Sequence, residues 1–196
     1  KNQFVEVIIA SKITANALPI LAQKKKLRVL EFNPPDSKKA ENQIDFKKVT
    51  GGLLVQTLDS KVLDKNSLNI VTKIKPSPSQ INDMIFAWKV SKFVKSNAIV
   101  FAKDCSTIGI GAGQMSRIDS TRIAIMKAKD MKFNISGSVM ASDAFFPFRD
   151  VVDTAATCGI RCIIQPGGSI KDSEIINAAD EHEMTMVFTG VRHFRH

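Results

Sequence analysis

A glycine-rich segment between a predicted strand and a predicted helix is the first place where this sequence could do chemistry. The segment is Gly109-Ile110-Gly111-Ala112-Gly113-Gln114, and Arg117 follows it on the first turn of the helix. Glycines let the backbone approach a ligand, and the N–H groups at a helix start attract anions. A guanidinium there could hold a phosphate or a carbonyl in a fixed fork. The spacing departs from the full dinucleotide-binding pattern, so a packing turn and a surface arginine are the alternatives.

A second unusual segment places three phenylalanines around a proline, with acidic residues at both ends. It is Ser142-Asp143-Ala144-Phe145-Phe146-Pro147-Phe148-Arg149-Asp150, at the end of a predicted strand. Ligands of α/β proteins bind at strand ends. Phenylalanines could form walls for a flat heterocycle, and a carboxylate could accept its ring N–H groups. A hydrophobic corner in which Asp150 caps a helix or pairs with Arg149 is the alternative.

The C-terminal residues 190–196 follow directly on a predicted strand and carry Arg192, His193, Arg195 and His196. A tail is commonly disordered, but this connection makes docking into a cleft a reasonable expectation. His193 and His196 are weak candidates for acid–base chemistry, because no aspartate or serine at a suitable spacing completes a triad.

The three cysteines predict no zinc site. Cys105, Cys158 and Cys162 are an odd number, and no second pair stands at zinc-finger spacing. An odd number without an export signal favours reduced thiols in the cytoplasm. Cys162 lies in an apolar run and is interpreted as a small core residue.

Hydrophobic periodicity and turn residues predict the elements that must position these segments. Strands and helices alternate, which favours a layered α/β fold, and a hairpin at 97–113 makes the sheet mixed. A soft boundary near 76–80 could separate two lobes. The predicted strands are 5–10, 28–32, 51–58, 68–74, 97–103, 107–113, 139–146, 161–164 and 184–189, the helices are 14–26, 77–95, 119–129, 148–157 and 172–183, and an exposed loop is 36–48.

Composition excludes several classes of protein. The 196 residues are 44% hydrophobic and 24% charged, near the globular average. No apolar run approaches the roughly 18 residues of a membrane span. The net charge of +9 lies entirely in residues 1–95, which hold 17 Lys/Arg and 8 Asp/Glu, against 11 of each in 96–196. The lysines are scattered and Tyr is absent, so we expect an anionic small substrate rather than a nucleic acid.

Taken together and in order, these motifs resemble a known family. They are joined by Ser96-Asn97-Ala98-Ile99-Val100, by Phe4-Val5-Glu6-Val7-Ile8-Ile9-Ala10, by Gly51-Gly52-Leu53-Leu54-Val55-Gln56 and by the closing Arg192-His193-Phe194-Arg195-His196. The whole chain is similar to the C-terminal part of the bifunctional AICAR transformylase/IMP cyclohydrolase family of purine biosynthesis.

The resemblance implies a formyl transfer from 10-formyltetrahydrofolate, the cosubstrate, to the 5-amino group of AICAR, giving FAICAR. In this family a separate N-terminal domain closes FAICAR to IMP. The resemblance also implies a cytidine-deaminase-like α/β subdomain and a homodimer with sites at the subunit interface.

Residue roles are implied by the same resemblance. Asn97 and Arg117 match catalytic positions around the AICAR carboxamide and amine, and Phe145 matches a substrate-binding position. Asp150, with Pro147 and Ile118 nearby, matches the folate-binding region, and Arg192 matches a tail arginine near the nucleotide phosphate. Ser96, Asp143 and His196 are the candidates for a monovalent cation.

One departure limits what the chain can do alone. The family's catalytic Lys-His dipeptide lies upstream, and no Lys-His occurs in these 196 residues. The chain also begins with Lys1 rather than Met. We therefore expect residues 1–196 to be the C-terminal portion of the transformylase domain and inactive by themselves. A non-catalytic nucleotide- or folate-binding module and a basic nucleic-acid-binding protein are the alternatives.

Overall fold

The chain divides into two compact units, residues 1–60 and 61–196. The computed structural model describes residues 4–33, 43–61 and 63–195. The predicted soft boundary at 76–80 therefore falls inside the second unit, where a helix begins.

In the first unit, two short parallel strands are connected by a segment that contains a short helix. Strand β1 is Val7–Ala10, helix α1 is Leu18–Leu21 and strand β2 is Arg28–Glu31. The helix predicted at 14–26 is wrong in extent. No residue of α1 is buried, and a helix without a packed face gains too little to propagate.

A hairpin completes the first unit. Strand β3, Ile44–Val49, pairs antiparallel with β4, Gly52–Thr57. Gly51 takes a positive φ of 79° in the turn between them, a conformation that glycine adopts without strain. The loop predicted at 36–48 is wrong for residues 44–48, because Ile44 and Phe46 alternate with polar residues and find a partner strand. Residues 36–42 of that loop lie outside the described residues.

The second unit is built on a six-stranded sheet in the order β5-β10-β9-β8-β6-β7. Strand β5 keeps only two residues of the predicted strand 68–74 and follows a single 3-10 turn, Lys65–Ser67. The remaining elements lie close to their predicted positions, except that the strand predicted at 139–146 ends at Ser142 and the helix predicted at 77–95 ends at Ser91. The prediction of a mixed sheet with flanking helices is confirmed. They are α2 Pro78–Ser91, β6 Ile99–Lys103, β7 Ser106–Gly111, α3 Arg117–Asp130, β8 Val139–Ser142, α4 Asp150–Thr157, β9 Cys162–Gln165, α5 Asp172–Glu181 and β10 Thr185–Phe188.

Strand directions bring the functional segments to one edge. Strands β8, β9 and β10 are parallel, and β6 is antiparallel to both β8 and β7. The ends of β7, β8, β9 and β10 therefore meet the start of β6 at one edge, which we call the carboxyl edge. Helices α3, α4 and α5 begin at this edge. It is the edge at which open α/β sheets bind ligands.

The helices cover both faces of the sheet. Helix α2 packs Met84, Ala87 and Trp88 onto one face, and Trp88 is buried, as predicted for a core anchor. Helices α3, α4 and α5 pack on the other face around Phe101, Met140 and Ile163. In the described part of the chain the longest helices have 14 residues and none could span a bilayer.

The turn of the β6–β7 hairpin is braced by α2. Asp104 and Cys105 form the two-residue loop, with φ of 52° and 51°. The Asp83 carboxylate accepts hydrogen bonds from the amides of Asp104 and Cys105, at 3.0 and 2.7 Å. The hairpin predicted at 97–113 is confirmed, and a carboxylate on α2 holds its turn at the edge opposite the carboxyl edge.

An ion cluster joins α4 to α5. Arg149 donates to both oxygens of Asp153, at 3.0 Å each, and to Glu181 Oε2 at 2.6 Å. His182 Nε2 lies 2.8 Å from Asp153 Oδ1. The hydrogen bonds from Arg149 lower the pKa of Asp153. Arg149 is thus paired with Asp153, and the alternative pairing with Asp150 is not the one observed.

This cluster predicts a pH-dependent contribution to stability. Because the folded pKa of Asp153 is lowered, its contribution is present above the unfolded pKa of about 4 and is lost as the pH falls through the folded value. We expect Asp153→Asn to lower the urea midpoint at pH 7, and the difference from the unaltered protein to vanish in acid. Asp130→Asn, at an exposed site at the end of α3, is the control. A difference that persists unchanged to pH 2 would contradict this prediction.

Candidate functional site

Two glycines bring α3 against β7 at the carboxyl edge. A Cβ at Gly111 would lie 1.8 Å from the carbonyl oxygen of Ser120, and one at Gly109 would lie 2.3 Å from that of Ala124. Neither distance is possible for real atoms, so both positions require glycine for close packing. The packing alternative for these two glycines is confirmed, and its consequence is that the first turn of α3 lies directly beside the start of β6.

Arg117, at that first turn, forms a buried cluster with the end of β8. Its Nη2 donates to Asp143 Oδ1 at 2.9 Å and its Nε to Ser142 Oγ at 3.3 Å. The hydroxyl of Ser96 donates to Asp143 Oδ2. The side chains of Arg117 and Asp143 are 13% and 1% exposed. We call Ser96, Arg117, Ser142 and Asp143 the Arg117 cluster; the surface-arginine alternative is wrong.

Asn97 lies next to this cluster and is held on both sides. Its Nδ2 donates to the backbone carbonyl of Gln114 at 2.9 Å, and the backbone carbonyl of Asn97 accepts from Ser120 Oγ at 2.7 Å. No hydrogen bond of the described residues engages its Oδ1. Asn97 is half-buried, so its amide is fixed in orientation while part of it still faces the carboxyl edge.

The C-terminal tail docks onto the same place. The amide of Ser96 donates to the carbonyl of Arg195 at 2.9 Å, and the amide of His193 donates to the carbonyl of Asp143, also at 2.9 Å. The His193 ring is fully buried, with its centroid 4.0 Å from that of Trp88. Docking of the tail, the expectation from its connection to β10, is confirmed through Arg195. The ring of His193 serves packing and is not open to a ligand.

The three phenylalanines after β8 have three different environments. Phe146 belongs to the core and Phe148 is half-exposed under the ammonium of Lys171. Phe145 is half-buried, and the guanidinium carbon of Arg192 lies 4.7 Å from its ring centroid. Phe145 is therefore the more buried of the two rings that carry a cation, and the structure brings it together with Arg192.

Two of the three predicted folate residues lie at the exposed surface of the carboxyl edge. Pro147 and Asp150 are exposed, and Asp150 Oδ1 accepts from the amide of Val151 at 2.8 Å. Ile118 is half-buried and packs on the core under α3. Asp150 and Pro147 share the carboxyl edge with the Arg117 cluster but lie outside its hydrogen-bond network.

Two of the three predicted cation ligands lie in the part of the chain that the structure describes. Ser96 and Asp143 lie together, whereas His196 lies outside the described residues. The charge of Asp143 is balanced by the guanidinium of Arg117 at 2.9 Å, and among the described residues no group of three acidic, histidine or cysteine side chains is arranged around a cation. With the charge of Asp143 already balanced, Ser96 and Asp143 do not by themselves make a cation site.

Sequence reasoning missed the residues that support the site. Ser142, Ser120 and Gln114 hold Arg117 and Asn97 in place. Ser142, at the end of an apolar run, and Ser120, among polar residues in the first turns of α3, are fully buried. A buried hydroxyl needs a partner, and that was the signal available. Cys162 is buried as predicted, and burial raises the pKa of its thiol.

Comparisons with known proteins match the chain to a family model and to a curated relative. The family model described as AICARFT/IMPCHase bienzyme matches residues 1–127. A curated relative, the bifunctional purine biosynthesis protein PurH of Xylella fastidiosa (strain M12), is 56% identical over 195 residues. That match takes in 100% of this chain but 37% of the relative, so the chain spans little more than a third of that protein's length.

Two of the solved structures that match are distant, partial likenesses. A dCMP deaminase from the cyanophage S-TIM5, in complex with dCMP and dUMP, matches 57% of this chain and 98% of its own, with a TM-score of 0.41 and 14% identity. RibD of Acinetobacter baumannii, form 2, matches 55% of this chain and 33% of its own, with a TM-score of 0.37 and 10% identity.

Proposed function

Because the chain belongs to the AICARFT/IMPCHase bienzyme family, we propose that its carboxyl edge forms part of a site for formyl transfer from 10-formyltetrahydrofolate to the 5-amino group of AICAR. The observation that carries the proposal is the Arg117 cluster with Asn97 beside it, a set of oriented donors at the edge where α/β sheets bind ligands. The chain would be the C-terminal portion of the transformylase domain in a cytoplasmic protein that also closes FAICAR to IMP.

Asn97 and Arg117 would act on the reacting groups. The amine of AICAR is a weak nucleophile, because its lone pair is delocalised into the carboxamide-bearing ring. Its nitrogen forms a bond to the formyl carbon, the bond from that carbon to folate N10 breaks, and a proton passes from the amine to N10. The bonds to Asp143 and Ser142 use Nη2 and Nε of Arg117, and Nη1 carries two further N–H donors. Donors fixed in this way stabilise a developing oxyanion without reorganising.

Phe145 and Arg192 would bind the nucleotide. A half-buried aromatic ring offers a face to a flat imidazole, and a guanidinium suits a phosphate because it can donate two parallel N–H groups. The contact between the two side chains supports this assignment, because the ring and the phosphate of one nucleotide bind close together. This supports a nucleoside monophosphate as the substrate class.

Asp150 would accept N–H groups of the folate pterin, with Pro147 and Ile118 lining the ring. Asp150 is exposed and its Oδ1 accepts one hydrogen bond, from Val151, so the carboxylate can take further donors.

A second copy of the chain would cover this edge. Four exposed apolar side chains lie on it, each in a segment between a strand and the next helix or in the tail. Such a concentration of exposed apolar surface marks an interaction site and supports the homodimer with sites at its interface. The four residues are Met115, Phe148, Ile170 and Phe194.

The assignment of Asp150 is tested by a split between the two substrates. In the full-length protein we expect Asp150→Asn to raise the KM for 10-formyltetrahydrofolate about tenfold, because loss of a charge-assisted hydrogen bond costs roughly 1.5 kcal/mol or more. The KM for AICAR should stay within about twofold. Formyl transfer is followed in steady state with each substrate varied in turn.

The matched control is Asp104→Asn, an exposed aspartate at the opposite edge of the same sheet. It should leave both KM values unchanged. Equal effects of Asp150→Asn on both substrates, or on neither, would contradict the folate assignment. Binding of both ligands by the full-length protein without any turnover would favour a non-catalytic binding module.

A further inference from the structure

The loop between β9 and α5 contains a glycine that contacts the tail arginine. We propose that Gly168 is a positioning residue: its missing side chain lets the Arg192 guanidinium lie over the Phe145 ring, where it can meet the phosphate of a nucleotide. The inference rests on the proposed function, because it assigns Gly168 a role in binding the same substrate. Gly168 itself does not need to touch the ligand.

The loop that carries Gly168 is held at both ends. The amides of Gly168 and Ser169 donate to the two carboxylate oxygens of Asp172, at 2.7 and 3.2 Å. On its other side, Pro166 accepts a hydrogen bond from the amide of Gly190 at 3.0 Å. The loop is therefore tied both to the start of α5 and to the start of the tail, and its backbone has little freedom to move away from Arg192.

The contact with Arg192 is close enough that a side chain at 168 would press on the guanidinium. A Cβ at Gly168 would lie 3.3 Å from Arg192 Nη2, closer than ordinary van der Waals contact. The guanidinium also stacks on Phe145, 4.7 Å from the ring centroid. With the loop tied down, a methyl group at 168 would have to be accommodated by movement of the guanidinium. Since a fork of N–H donors depends on its orientation, that movement would weaken phosphate binding.

A substitution at Gly168 requires a control for backbone strain, because the φ of Gly168 is 89° and any side chain there adds strain. Gly137 provides it. Its φ is 76°, at the edge of the sheet opposite Arg192, and a Cβ there would meet only the Lys103 ammonium at 3.8 Å. Gly137→Ala therefore reproduces the backbone strain without touching the Arg192 side chain.

The experiment measures binding of two ligands to the full-length protein by calorimetry: AICAR and its nucleoside, which lacks the phosphate. We expect Gly168→Ala to weaken AICAR about fivefold to tenfold and to leave the nucleoside within about twofold. Gly137→Ala should change neither ligand. A general loosening of the fold would weaken both ligands equally, and that result would overturn the inference.

A double variant tests whether Gly168 acts through Arg192. Arg192→Ala should weaken AICAR and spare the nucleoside. If the two residues act as a unit, adding Gly168→Ala to Arg192→Ala should cause less than about a twofold further change. A full additional loss in the double variant would overturn the inference. If Arg192→Ala weakens AICAR and Gly168→Ala does not, Gly168 has no positioning role while the proposed function stands. If the unaltered protein binds no AICAR, the proposed function itself fails.

Discussion

Replacing Arg117 with alanine in the full-length protein should reduce the turnover of formyl transfer by about 10²- to 10³-fold and the free energy of unfolding by about 3–5 kcal/mol. Turnover falls because a fixed donor at the reacting groups is lost. Stability falls because the carboxyl group of Asp143, whose side chain is 1% exposed, loses its partner guanidinium 2.9 Å away. Steady-state kinetics and urea unfolding measure the two effects separately.

The two effects of Arg117→Ala can be separated by a second substitution. Adding Asp143→Asn removes the unpaired buried charge, so it should restore part of the stability and none of the turnover. Arg122→Ala is the control on the same helix: its side chain is 67% exposed and lies 3.5 Å from Asp119, and such surface pairs are worth roughly 0–1 kcal/mol. Unchanged stability in Arg117→Ala would show that the guanidinium is not the essential partner of Asp143.

Much of the second unit was predictable because its signals are local. Trp88 lies on an apolar helical face, and the β6–β7 hairpin follows two apolar runs joined by a short turn. Both predictions needed only neighbouring residues, and the structure confirms both. The mixed sheet followed from the hairpin, because a hairpin inserted among alternating strands and helices requires antiparallel pairing.

The Arg117 cluster was not predictable in the same way, because its contacts are not local. Arg117 and Asp143 are 26 residues apart, and Ser96 and Asp143 are 47 apart. Arg117 alone therefore resembled a surface residue. Its burial depends on Gly109 and Gly111, which bring α3 against β7, and a glycine that permits packing has the same sequence pattern as one that accommodates a ligand.

In the first unit, the local sequence patterns themselves gave wrong predictions. The helical pattern at 14–26 predicted a helix that needed a packed face, but only Leu18–Leu21 is helical and none of it is buried. The polar composition around 44–48 concealed a strand, because pairing with β4 depends on a partner rather than on local propensity. In both places local propensity was outweighed by whether a neighbouring element was present.

Asn97 tests whether the edge of the sheet is a reacting site rather than a packing feature. In the full-length protein we expect Asn97→Ala to lower kcat/KM by about 10²- to 10³-fold, equivalent to roughly 2.7–4 kcal/mol, because an oriented amide at the reacting amine and carboxamide is lost. The free energy of unfolding should fall by only about 1 kcal/mol, since one neutral hydrogen bond, to Gln114, disappears. The large ratio between the catalytic and structural effects is what distinguishes a substrate contact.

Asn134 offers the matched comparison for that ratio. Its side chain also bonds the backbone, accepting from the amide of Ser136 at 3.0 Å, but it is exposed at the opposite edge of the sheet. Asn134→Ala should therefore lose a similar, small amount of stability and no activity. If Asn97→Ala behaves like Asn134→Ala in turnover, the Asn97 amide serves only to fasten β6 to the segment before α3. The reacting groups of the substrates would then have to lie elsewhere.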